Sequence, residues 1–67
     1  MHQFRLDEIV AARDAARSFG GLMERLRSGN ASRYIIFFRN RPQAVLLHIT
    51  EYERLLAAAG DVERRAA

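Results

Sequence analysis

Apolar residues recur at Ile9, Ala12, Ala16, Phe19, Met23 and Leu26, at spacings of 3, 4, 3, 4 and 3. That period matches one buried face of an α-helix. The pattern predicts an amphipathic helix over residues 6–27, with Asp7 as its N-cap and Glu8 where the helix dipole favours negative charge. Gly20-Gly21 interrupts it, at about 1 kcal/mol per glycine relative to alanine. It reads as a kink or a point of close packing, or else as a break into two helices. Ser28-Gly29-Asn30 supplies the C-terminal stop.

The period then changes. Tyr34-Ile35-Ile36-Phe37-Phe38 is dense in aromatic and β-branched residues and predicts a strand apolar on both faces, and so covered on both. One of Phe37 and Phe38 must then face the helices. Arg39-Asn40-Arg41-Pro42 carries turn chemistry, and Ala44 to Ile49 follows as a second strand, making a β-hairpin. Thr50-Glu51-Tyr52-Glu53 has the form of a capping box, so a second helix is expected from Glu51 through Leu55, Leu56 and Ala59, with Tyr52 and Leu55 in the core. Gly60 ends it. The expected fold is α+β in the order helix, hairpin, helix, with one domain over residues 1–59 and a short polar tail over 60–67.

Size changes the picture. A domain of about 60 residues buries only roughly 60% of its unfolded surface. The chain has 67 residues, 49% of them hydrophobic, with no cysteine to add a disulfide and no evident zinc motif. Two strands alone also make at best a marginal sheet. A homodimer with an intersubunit sheet is therefore expected, and a dimer of dimers stays open. No apolar run approaches the roughly 20 residues of a membrane span, and the amino terminus lacks the pattern of a secretion signal, so the expectation is a cytoplasmic protein without a membrane partner.

Charge narrows the function. The net charge is +3, and every basic residue besides the two histidines is arginine. Residues 1–41 hold eight arginines against four acids, a balance of +4, whereas residues 42–67 hold three against four, a balance of −1. Arginine presents a planar fork of donors to phosphates and guanine edges, so the basic part is a candidate nucleic-acid face. Catalysis is disfavoured, because no phosphate loop, paired-histidine motif or nucleophile elbow is present and His48 with Glu51 is the only conceivable acid–base pair. No catalytic residue, cofactor or metal is expected.

Three segments stand at fixed separations: Ala15-Ala16-Arg17-Ser18-Phe19 with Leu22-Met23-Glu24-Arg25-Leu26, then Ile36 to Leu47, then Ile49-Thr50-Glu51-Tyr52-Glu53-Arg54-Leu55. Together, over about residues 9–56, they resemble the Phd/YefM antitoxin family, with its Ala-Arg helix, its strand turning at Arg-x-Gly-x-Pro into Ala-Val-Leu, and its Glu-Tyr-x-x-Leu helix. Two departures matter. The turn is one residue shorter and carries Asn40 in place of glycine, which tolerates the left-handed conformation, and Arg13 stands where many members have Ser or Thr. Either Arg17 or its neighbour Arg13 is therefore the equivalent of the family's helix arginine.

The resemblance implies an antitoxin of a type II toxin–antitoxin module: a homodimer that binds operator double-stranded DNA, represses its own transcription and neutralises a cognate toxin. It assigns DNA contacts to Arg13, Arg17, Ser18, Arg39, Asn40 and Arg41, and leaves Arg25 and Arg27 as solvated helix charges. Toxin contacts fall to Arg54, Leu55, Leu56 and Val62, if the toxin-binding stretch is contracted into residues 54–62. The other readings are a truncated chain, a stand-alone repressor without a toxin, and a protein-interaction module that does not touch DNA. A ribbon-helix-helix repressor is disfavoured because its strand would precede both helices.

Overall fold

The aromatic and β-branched run at Arg33–Phe38 becomes the central strand of a sheet, and the rest of the chain is arranged around it. A computed structural model describes residues 4–60. A 3-10 turn at Leu6–Glu8 leads into β1 (Ile9–Ala11), α1 (Ala12–Arg17) and α2 (Phe19–Ser28). There follow β2 (Arg33–Phe38), β3 (Arg41–Leu47) and α3 (Ile49–Ala59). The sheet order is β1-β2-β3, with β1 parallel and β3 antiparallel to β2. The chain is a small α+β domain of three helices and a three-strand mixed sheet.

The expected start of the first helix is thus corrected. Ile9 and Val10 are β-branched and pair with Ile35 and Ile36, so residues 9–11 are strand, and Asp7 lies in the 3-10 turn and caps nothing in α1. Parallel strands need a crossover connection of a dozen or more residues, which α1 and α2 supply. Glu8 anchors the start of β1 from a buried position. Its Oε2 lies 3.4 Å from Arg33 Nε, and its Oε1 accepts the Arg5 backbone N–H at 3.3 Å. A buried carboxylate persists only with such partners.

The helical stripe divides at Ser18, which is the C-cap of α1 and the N-cap of α2. The division falls two residues before Gly20-Gly21. Nothing lies within 4 Å of a Cβ built on either glycine, so close packing does not account for them. The buried face also differs from the expected stripe: it carries Ala15 and Leu26, while Ala16, Phe19 and Met23 stay exposed. Gly29 ends α2 at φ 89°, as the stop signal requires.

The hairpin is tighter than the sequence suggested. Its turn is two residues, Arg39 and Asn40, at φ 56° and 63°. Positive φ at both positions is the requirement of a type I′ turn, whose twist matches that of the strands. Arg41 and Pro42 belong to β3. The register steps from Ile36↔Ala44 to Phe37↔Pro42, leaving Gln43 as a bulged residue. Pro42 is tolerated because β3 is an edge strand. The sheet faces are only partly covered: Tyr34 and Ile35 are buried, Ile36 and Phe37 are half-buried, and Phe38 is exposed.

Helix α3 begins two residues earlier than expected. His48 is its N-cap, with Nδ1 accepting the Thr50 backbone N–H at 3.1 Å, so Thr50 lies inside the first turn and the Thr50–Glu53 capping box does not form. Gly60 closes the helix at φ 77°. Tyr52 and Leu55 are not core residues. They lie exposed along one side of α3 with Ile49. The expected tail beyond Gly60 lies outside the described residues.

A left-handed residue other than glycine costs about 1–2 kcal/mol. Asn40→Gly relieves the milder part of that strain, so it is expected to stabilise the domain by about 0.5–1 kcal/mol and raise Tm by several degrees at fixed protein concentration. An unchanged or lower Tm in calorimetry would mean that the turn is not under this strain.

Candidate functional site

A surface arginine beside a carboxylate at helical spacing is held along its own helix, and three of the described arginines are held in this way. Arg17 reaches Asp14 at 3.2 Å, Arg27 reaches Glu24 at 3.0 Å, and Arg54 reaches Glu51 at 3.1 Å, each across three residues. Arg5 pairs with Asp7 at 3.3 Å and Arg33 with Glu8. Arg25 was expected to be a solvated charge. Instead its Nε donates to the buried Tyr34 hydroxyl at 2.8 Å, tying α2 to β2. Among the described residues, Arg13, Arg39 and Arg41 pair with no carboxylate.

Strand pairing brings these three together. Ala11, at the end of β1, is in register with Phe37, so the first turn of α1 emerges beside the hairpin tip. Between them opens a cleft of about 640 Å³ lined by Ala11, Ala12, Arg13, Asp14, Phe37, Phe38 and Arg39. Phe4 packs edge-on against Phe37, with ring centroids 6.4 Å apart. The Arg39 guanidinium lies 5.1 Å from the centroid of the Phe38 ring. Arg41 stands directly across from Phe38 in the β2–β3 register, so both side chains leave the same face of the sheet.

The cleft therefore has an apolar floor and cationic walls. Asp14 is its acid, and Arg17 occupies that carboxylate. Such a surface can hold an anionic chain whose charges are spaced along it. Of the six residues assigned to DNA, Arg13 and Arg39 line the cleft, Arg41 borders it through Phe38, and Asn40 sits in the exposed turn. Arg17 points to Asp14, and Ser18 forms the joint between α1 and α2, so neither lines it. An exposed ion pair is worth about 0–1 kcal/mol, so Arg17 can be released from Asp14 at little cost. Phe37 and Phe38 read as strand packing from sequence alone. The adjacency of Phe38 and Arg39 was the available signal for the stacked pair.

On α3, Arg54 is clamped to Glu51, Leu55 is exposed and Leu56 is half-buried, whereas Val62 lies outside the described residues. His48 and Glu51 are directed elsewhere, His48 to Thr50 and Glu51 to Arg54. A second apolar cleft, of about 390 Å³, lies between Met23, the end of β3 and the start of α3. Among the described residues no helix is long and apolar enough to cross a membrane, and no group of three or more His, Cys, Asp or Glu residues can hold a metal ion. Comparison with protein-family models, characterised proteins and solved structures returns no match.

The hydrogen bond from Arg54 holds the Glu51 carboxyl below the ordinary glutamate range, and Arg27 does the same for Glu24. A depressed folded-state value gives stability that is present above the ordinary glutamate range and lost as pH falls through the lowered value. In an NMR titration, Arg54→Gln is expected to move the Glu51 midpoint upward and leave Glu24 in place. A Glu51 midpoint indifferent to Arg54 would show that the pair does not form in solution.

Proposed function

We propose that this chain is a dimeric DNA-binding repressor of the antitoxin type, using the Phd/YefM-like arrangement that its sequence resembles. The observation that carries this reading is the separation of its arginines into two classes. Arg5, Arg17, Arg27, Arg33 and Arg54 are matched by acids and Arg25 by Tyr34, and the unmatched Arg13, Arg39 and Arg41 gather around one cleft and the hairpin tip.

Unpaired guanidiniums on two rigid elements suit a polyphosphate backbone. Each phosphate they neutralise releases counterions and makes binding salt-dependent. Arg13 approaches from α1 and Arg41 from β3. A two-fold axis presents the same set twice, which matches a palindromic duplex.

The dimer is supported by the apolar surface that one copy leaves open. Val45 is 57% exposed, Ile49 59% and Tyr52 50%, and they adjoin Met23 around the second cleft. The buried apolar core of the described residues consists only of Ala15, Leu26, Tyr34 and Ile35. The outer edge of β3 has no partner strand among the described residues, so it is open to an intersubunit sheet. The more distal α3 positions, Arg54, Leu55 and Leu56, then remain for a cognate toxin. A repressor acting without a toxin uses the same DNA face and the same dimer.

Salt titrations of binding to the DNA upstream of the gene test the DNA face. Arg13→Ala and Arg41→Ala are each expected to weaken binding and to shallow the slope of log K against log salt by about 2 in a dimer, at about 0.9 per phosphate contact. Arg27→Ala, within its own helix pair, leaves the slope unchanged. Equal slopes in all four proteins would remove the proposed interface.

Sedimentation tests the dimer. Ile49→Glu places an acid in the first turn of α3, where the helix dipole favours it, so helix content is expected to persist while the dimer separates into monomers. Wild-type protein that sediments as a monomer at micromolar concentration would count against the assembly.

A further inference from the structure

We propose that Arg39 reads a guanine edge in the DNA major groove, oriented for that task by the ring of Phe38, while Arg13 and Arg41 hold phosphates. The assignment rests on the reading of the cleft as a DNA face and adds the division of labour within it.

Two observations separate Arg39 from the other arginines, and it shares a third with Arg13 and Arg41. Its backbone is left-handed, at φ 56°, a conformation that a residue with a long side chain adopts only where its surroundings impose it. Its guanidinium lies 5.1 Å from the Phe38 ring centroid, and that ring is half-exposed. It pairs with no carboxylate among the described residues. The side chain is therefore restrained by contact with an apolar ring at the first position of a two-residue turn, and among the described residues its hydrogen-bond donors are unspent.

Guanidinium geometry gives this arrangement its consequence. Contact with the ring restrains the cation while leaving donors free to act as a fork. Two such donors match O6 and N7 of guanine, a pairing that needs a fixed direction. A phosphate accepts from many directions and needs no such restraint. A β-hairpin tip also fits the major groove, which is about 12 Å wide and admits a two-stranded ribbon. Arg13, rising from α1 at the opposite wall of the cleft, has no aromatic stack among the described residues and suits the adjoining backbone.

The test selects binding sites for the full chain from a pool of random-sequence duplexes. Wild type is expected to enrich guanine at two symmetry-related positions. Arg39→Lys keeps the charge and loses the fork, so it is expected to lose that preference while keeping its affinity for unselected duplex at low salt within about twofold. Replacing the enriched guanine by 7-deazaguanine, which lacks the N7 acceptor, should weaken wild type roughly tenfold and leave Arg39→Lys unchanged. Phe38→Leu, with its fold checked by circular dichroism, should reduce the preference while Arg39 is still present.

Retention of the guanine preference by Arg39→Lys overturns the assignment. Sequence-indifferent binding by wild type overturns it too and leaves the DNA face standing. Absence of any duplex binding by wild type at low salt overturns both.

Discussion

The pairing of β1 with β2 is the interaction on which the rest of the structure depends. Three residues, Ile9, Val10 and Ala11, join Ile35, Ile36 and Phe37 in parallel. That register decides where α1 begins. Because Ala11 lies beside Phe37, Arg13 rises next to the hairpin tip, and a shift in register would carry it away from Arg39. So short a strand cannot hold its place by ladder hydrogen bonds alone. The Glu8–Arg33 pair fixes one end of the register, and the packing of Phe4 on Phe37 bears on the other. Arg25 on Tyr34 ties the returning helix to the same strand.

The same economy governs charge. Each i,i+3 clamp keeps an arginine along its helix and contributes little to stability, since exposed pairs are worth about 0–1 kcal/mol. Its larger consequence is that Arg17, Arg27 and Arg54 carry little uncompensated charge, while Arg39 and Arg41 at the hairpin tip carry all of theirs. The net charge of +3 is therefore distributed unevenly in space as well as along the chain. Steering of a polyanion depends on that unevenness more than on the total.

Local signals were legible in the sequence, and long-range ones were not. The strand at Arg33–Phe38, the stops at Gly29 and Gly60, and the left-handed Asn40 arise from side chains within a few residues of the feature. β1 was misread because Ile9 falls on the helical spacing of the α1–α2 segment after it, and the strand state of residues 9–11 is conferred by β2, far along the chain. The cap of α3 was misread because His48 is an unusual N-cap and Thr50-Glu51-Tyr52-Glu53 carries the common motif. Arg25 looked solvated because its partner, the Tyr34 hydroxyl, belongs to another element. For the candidate site, sequence named Arg13 and Arg39 from separate segments, and the fold supplied the aromatic floor between them.

For the proposed dimer, β3 is a better-suited edge than β1. β1 is three residues long, whereas β3 has seven, carries the exposed Val45 and leads into the exposed Ile49 and Tyr52 of α3. Pro42 and the bulge at Gln43 blunt the tip end of its outer edge, leaving residues 44–47 as the part able to pair. Assembly there would sit at the end of the sheet away from the Arg39–Asn40 turn. Each hairpin tip would then stay free, and the two clefts would be separated by the width of the joined sheet. The positions least suited to strand pairing are thus the ones that border the arginines, so one bulged, proline-containing strand end can keep the proposed DNA face clear of the proposed interface.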